Sequence, residues 1–240
     1  MIKVSNLTKY FGEKKVIDIP SFTIKQGEML GLVGNNGAGK TTLFRLMLDL
    51  LDADCGQVVL TNSQQEADEV PATSQWEGWK NYTGAYIDGG FLIDFLTPNE
   101  YFEFVGKAYG LSKDATHQRL ELYNAFLTEE ITGHQKYIRN LSAGNQQKVG
   151  IVGALLNKPD IVILDEPFNF LDPSSQNQLK HLLVDYNKQT GATIVVSSHN
   201  LQHTIEISSR IALMENGLII KDLTNENKSA EKELESYFNI

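Results

Sequence analysis

Cysteine occurs once in the 240 residues, at Cys55, so no intrachain disulfide is possible and a reducing compartment fits the chain. Basic residues are in deficit: 21 Lys and Arg stand against 30 Asp and Glu, a formal net charge of -9. A balance this acidic argues against nucleic acid as a partner, because a phosphate backbone needs a basic face. Long apolar runs are missing as well. Stretches such as Ile161–Leu164 fall far short of the roughly 20 residues that a membrane helix needs. The opening MIKVSNLTKYFG lacks the apolar centre of a signal peptide. If this protein serves a membrane, a partner has to do the spanning. There is no internal repeat and no low-complexity linker. What is present is an ordinary globular composition, 41% hydrophobic and 21% charged, in a length that buries a large core as one domain.

The hydrophobic pattern alternates between strand and helix periods. FTIK at 22–25 and QVVL at 57–60 read as short strands. MLGLV at 29–33 is continuously apolar, as a buried parallel strand is. Leu43, Leu46, Met47 and Leu50 follow at helical spacing. Residues 61–81 are polar and predict a surface insertion. From about 95 to 140 the period is helical, with one helix in PNEYFEFVGKAYG and another from Ser112 to Leu127. Ile161–Leu164 and Thr193–Ser198 predict two more buried parallel strands with a helix between them. Asn216-Gly217, between the apolar runs of IALMENGLII, predicts a hairpin. The charged tail after 224 predicts a helix or a frayed end. Strands alternating with helices imply a mostly parallel sheet, with antiparallel strands added to it.

GNNGAGKT, Gly34 to Thr41, sits between the apolar strand and the amphipathic helix. Two spaced glycines followed by Gly-Lys-Thr in that context predict a phosphate loop. Gly34, Gly37 and Gly39 let the backbone approach an anion, and the N–H groups of Asn35, Asn36, Ala38 and Thr42 surround it. Lys40 adds a cation for the β- and γ-phosphates. The Thr41 hydroxyl is a hard oxygen for Mg²⁺. IVILDEP, Ile161 to Pro167, carries Asp165 and Glu166 to a strand end, where open α/β sheets bind ligands. Asp165 suits the Mg²⁺ shell; Glu166 suits orienting and deprotonating a water. His199 closes TIVVSSH at a third strand end, placed to hydrogen-bond a γ-phosphate. LSAGNQQK, Leu141 to Lys148, carries no acid, base or thiol, and Ser142 stands where a helix N-cap would.

Taken together, these motifs resemble the ATP-binding cassette (ABC) ATPases over nearly the whole chain, in that family's order. GNNGAGKT resembles its Walker A, IVILDE its Walker B, LSAGNQQK its signature, NFLD at 169–172 its D-loop and His199 its switch histidine. The resemblance implies an α/β P-loop NTPase with a mostly parallel sheet, added antiparallel strands and a helical sub-lobe. Within one domain, 1–87 and 149–225 would be the nucleotide-binding core, 88–148 the sub-lobe and 226–240 a tail. It implies ATP and Mg²⁺ as cofactors, with Phe11 stacked on adenine and Tyr10 as its alternative. It further implies head-to-tail pairing with a second ATPase subunit, a homodimer, in which Ser142 and Gly144 meet the γ-phosphate held by the partner. Two departures stand out. Phe170 occupies a D-loop position that is usually small, and Asp88 stands where the family carries its Q-loop glutamine. Asp88 is thereby a third metal candidate beside Thr41 and Asp165.

The function implied is the ATPase subunit of a transporter whose transmembrane subunits are separate chains, attached to the inner face of the cytoplasmic membrane through them. The length and the Pro167–Pro173 run resemble exporter subunits more than importer subunits. A soluble ATPase of the iron–sulfur cluster assembly type, or a regulator that binds ATP without turnover, are the alternatives.

Overall fold

The computed structural model describes residues 1–62, 77–87, 89–133, 135–199 and 201–238. Most of the insertion expected at 61–81, and Asp88, lie outside the described residues.

The chain opens with β1 (Ile2–Phe11), β2 (Lys14–Ile24) and β3 (Met29–Val33), followed by α1 (Lys40–Met47) and β4 (Cys55–Leu60). After β5 (Thr83–Tyr86) come α2 (Pro98–Ala108), α3 (Lys113–Glu121), α4 (Glu129–Thr132) and α5 (Ala143–Leu155). The second half alternates: β6 (Ile161–Leu164), α6 (Pro173–Thr190), β7 (Thr193–Ser198) and α7 (Leu201–Ile207). It closes with β8 (Arg210–Glu215), β9 (Leu218–Thr224) and α8 (Glu231–Phe238).

The described strands form two sheets. One has six strands in the order β5-β6-β7-β3-β8-β9, parallel except for β9 on its edge. The other is antiparallel, in the order β2-β1-β4. The early antiparallel strands therefore do not extend the parallel sheet, as the pattern suggested; only β9 does. They form a separate layer because Ile2, Val4, Leu7, Ile17 and Ile19 bury one face against α1 and the parallel sheet. The period of two along β6 then serves two cores at once. Ile161 and Ile163 join that first core, while Val162 and Leu164 join a second with α5, α6 and the segment around α2–α4.

Two helices end earlier than their periodicity suggests. α1 stops at Met47, with Leu48 as C-cap and Asp49 at φ 52, leaving Leu50 exposed beyond it. α3 is capped by Ser112, whose Oγ accepts from Ala115 N at 3.1 Å, but ends at Glu121 rather than Leu127. Tyr123, Phe126 and Leu127 remain buried, now on turns. Tyr123 Oη donates to Leu155 O at 3.2 Å, so anchoring to α5 wins over one more helical turn. The expected hairpin forms: Asn216 (φ 48) and Gly217 (φ 81) join β8 to β9 in a left-handed turn. The tail folds as α8, burying Ala230 and Leu234 against Val33, Leu201 and Leu213.

Candidate functional site

β3 ends at Val33 and α1 begins at Lys40, so Gly34–Gly39 turns between a buried strand end and a helix N-terminus. Gly39 is the N-cap at φ 110, a conformation that a Cβ makes costly. The β8–β9 hairpin clamps the loop from outside. Gly217 N–H donates to Ala38 O at 2.8 Å, and Asp18 N–H donates to Gly217 O at 2.9 Å. The first N–H groups of any α-helix lack intrahelical partners, and here they lie at the positive end of α1. They border a cavity of about 240 Å³ lined by Val16, Asn36, Gly37, Ala38, Gly39, Lys40, Thr41, Thr42 and Glu166. Lys40 is only 7% exposed, and its Nζ donates to Gly34 O at 2.7 Å and Asn35 O at 3.4 Å.

Parallel pairing of Leu164 with Val196 sets the ends of β6 and β7 side by side. The acids leaving β6 therefore meet the Ser-Ser-His leaving β7. Ser197 donates its hydroxyl to Asp165 Oδ1, and Thr41 donates its own to Asp165 Oδ2 at 2.5 Å. Ser197 Oγ in turn accepts from Glu166 N–H at 2.8 Å. Burial pushes the Asp165 carboxyl above the ordinary aspartate value, and the two hydroxyl donors pull it part of the way back. Glu166 sits at φ 46 with its carboxylate between two partners. Lys40 Nζ lies 3.6 Å from Oε1, and His199 Nδ1 lies 2.8 Å from Oε2, which also accepts from His199 N–H at 3.2 Å. An ionised carboxylate only accepts, so Nδ1 carries a proton. The neutral ring then presents Nε2 as an acceptor; it donates from Nε2 only as an imidazolium.

Lys40, Thr41, Asp165, Glu166 and His199 are thus brought together by a continuous chain of contacts from three strand ends. Phe11 is exposed at the end of β1 and is not among the residues lining the cavity, whereas Val16 is. Tyr10 faces Lys15 Nζ, 5.7 Å from its ring centroid. Ser142 caps α5, accepting from Asn145 N–H at 3.2 Å, and is exposed; neither it nor Gly144 lines the cavity of its own chain. Asp88, the third metal candidate, lies outside the described residues.

Three participants escaped the motif reading. Val16 lies on a plain strand and carries no sequence signal. Ser197 stands inside the quoted SSH, yet only the pairing of β6 with β7 shows that its hydroxyl serves both Asp165 and the Glu166 amide. Gln147 stands inside LSAGNQQK, and its Nε2 donates to Glu166 O at 3.1 Å, tying the first turns of α5 to the acidic loop.

The family model of the ABC transporter matches residues 17–169. The chain is 34% identical over 218 residues to the ABC transporter ATP-binding protein MJ1023 of Methanocaldococcus jannaschii, covering 90% of this chain and 74% of that protein. It is 35% identical over 232 residues to the methionine import ATP-binding protein MetN of Streptococcus agalactiae, covering 92% of this chain and 64% of the relative. In structure it is similar to the ATP-binding cassette MJ0796, seen as a dimer in a post-hydrolysis state bound to ADP and Pi. That similarity has a TM-score of 0.80 at 25% identity, over 94% of this chain and 99% of the other. The chain belongs to the ABC transporter family, and within it to the ATP-binding cassettes.

Proposed function

We propose that this chain is the ATP-hydrolysing subunit of an ABC transporter, and that the contact chain Thr41–Asp165–Ser197–Glu166–His199 around Lys40 is its hydrolytic centre. The observation that carries this reading is Glu166. Its carboxylate is held between a buried cation and a histidine at the mouth of the phosphate loop.

The loop amides and Lys40 would hold the β- and γ-phosphates, with helix dipole and ammonium countering their charge. Thr41 and Asp165 fit a Mg²⁺ ion: a hydroxyl and a carboxylate oxygen, 2.5 Å apart beside the cavity, are the hard donors this ion prefers. Bound there, Mg²⁺ would neutralise charge on the phosphate oxygens. Glu166 accepts the proton of the attacking water through its carboxylate, and its pairing with Lys40 and His199 fixes the geometry. His199 contributes a hydrogen bond to the γ-phosphate. Phosphoryl transfer needs little more than such positioning and charge balance.

Ser142 and Gly144 stand apart from their own chain's cavity, as residues that serve a partner's nucleotide would. The dimeric cassette of the same fold supports a head-to-tail homodimer closed by ATP. Transmembrane subunits would be separate chains, with this one peripheral on the inner face of the membrane. Among the described residues no helix is long and apolar enough to cross a bilayer. The helices α2–α4 support reading 88–148 as the sub-lobe between core segments 1–87 and 149–225, with 226–240 as the tail. The relatives named above are transporter proteins, which favours transport over iron–sulfur assembly. The MetN relative is an import protein, which runs against the exporter likeness of Pro167–Pro173.

The test is Glu166→Gln. It keeps ATP binding, loses turnover and accumulates a dimer with Mg-ATP on a sizing column. A variant that turns over ATP like the parent overturns the assignment of Glu166, and one that stays monomeric overturns the ATP sandwich.

A further inference from the structure

His203 lies in the first turn of α7, four residues after His199. Its ring packs on Phe168, with centroids 4.9 Å apart and planes inclined by 36°. Phe168 is buried, and only Pro167 separates it from Glu166. An apolar side chain would make this contact at no polar cost. Histidine instead leaves Nδ1 buried with no hydrogen-bond partner among the described residues. Such unpaired atoms are rare in folded proteins, so this one calls for an explanation.

The contact bridges the two segments that carry Glu166 and His199. Glu166 is at φ 46, a conformation that disfavours a residue with a Cβ and has to be held from outside. On its N-terminal side the hold is the pairing of β6 with β7 and the bond from its N–H to Ser197 Oγ. On its C-terminal side Pro167 fixes its own φ and leaves little slack, so the seat of Phe168 sets where the Glu166 turn lies. Gln176 Nε2, from α6, donates to Phe168 O at 3.2 Å and holds that residue's backbone. His203 holds its ring. The ion pair of Lys180 with Glu206 ties α7 to α6, so His203 projects from an anchored helix.

We propose that His203 is a positioning residue for ATP hydrolysis: its neutral ring, seated on Phe168, locks the Glu166 turn against α7 and so keeps Glu166 in register with His199. The proposal rests on the reading of Glu166 above and adds to it a residue outside the phosphate-loop cavity. The seat accepts only the neutral ring. An imidazolium donates from both nitrogens, and the buried Nδ1 faces no acceptor. Phe168 offers no charge from the loop. Burial and the ammonium of Lys180 on α6 lower the pKa of His203 below the ordinary histidine value, and Glu206 on α7 opposes them more weakly. A histidine held neutral in this way stabilises its seat above the ordinary value, and the hold is lost as pH falls through that range.

The test measures steady-state ATP hydrolysis by the full-length protein, together with its affinity for a fluorescent ATP analogue. His203→Ala should lower kcat at pH 8 by about tenfold or more, the cost of a misplaced base, with analogue affinity unchanged. His203→Phe keeps a ring, lacks the buried nitrogen and should restore kcat. Between pH 8 and pH 6 the parent should lose more turnover than His203→Phe, because unseating a histidine of ordinary pKa becomes about fourfold easier over that range. If His203→Ala binds the analogue and turns over like the parent, the positioning role is overturned. If His203→Ala does not fold, His203→Phe decides, and a pH profile parallel to the parent's overturns the proposal. Glu166→Gln separates the two readings: parental turnover in that variant overturns the role of Glu166 itself, whatever the His203 variants do.

Discussion

The phosphate-loop region and the surface of α5 with the loop at 169–172 carry motifs of similar length but opposite wiring. Around Lys40 the polar groups are satisfied within the chain: Thr41 and Ser197 both serve Asp165, while Lys40 and His199 both hold Glu166. Around Ser142 the groups face outward; its hydroxyl caps its own helix, and Phe170 next door stands in solvent. The first region pre-organises charge in a partly buried cavity, where electrostatic interactions are strongest. The second presents neutral dipoles and one apolar ring to solvent. On the proposed ATP sandwich, the two regions would be two halves of one site, completed when ATP joins copies.

The comparison breaks most visibly at Glu166. Glu166→Gln should lower ATP turnover by about 10²- to 10⁴-fold, the range for losing a positioned general base, measured by phosphate release. Lys40→Ala should lower ATP binding or turnover by about tenfold or more, because a charge-assisted hydrogen bond is worth about 1.5–3 kcal/mol, read by nucleotide titration. On the other face, Gly144→Ala should weaken Mg-ATP-dependent dimerisation, since its Cβ would lie 2.6 Å from Phe170 O and push the loop away. Sedimentation checks this, and unchanged dimerisation would mean that the two loops are not coupled.

Smaller effects sharpen the contrast through stability. Burial raises the folded-state pKa of Asp165 above its unfolded value. A raised carboxylate contributes stability that is fully present below the unfolded value and lost as pH rises through the folded one. Asp165 therefore penalises the folded state at neutral pH, and Asp165→Asn should raise the melting temperature at pH 7. The gain should shrink toward pH 4, and hydrolysis should be lost throughout. Ser142→Ala should do the reverse, lowering the melting temperature by about 2–4 °C for a lost cap of about 1 kcal/mol. Scanning calorimetry at the two pH values separates them.

Much of this was legible before folding. Gly34–Thr41 between an apolar strand and an amphipathic helix reads as a phosphate loop because both the glycine spacing and the flanking periods are local. Asn216-Gly217 reads as a hairpin because a left-handed two-residue turn needs those residue types. The strand β5 was not legible: Thr83–Tyr86 is short, and its partner β6 lies more than 70 residues away. The end of α3 was not legible either, because the helical period runs on to Leu127 while a tyrosine bond to α5 stops the helix at Glu121.

Sequence alone carries the chemical inventory, since residue types at fixed spacing specify a phosphate loop, an acidic strand end, a helix cap and a hairpin. Folding assigns the partners. Parallel pairing of β6 with β7 makes Ser197 the shared partner of Asp165 and the Glu166 amide, and it brings His199 to Glu166. Packing of α5 under the loop at 169–172 turns two separate motifs into one surface. Hydrogen bonds from side chains to Asp165 and Glu166 join residues 19 to 124 positions apart, and each depends on long-range burial of apolar faces that no local pattern encodes.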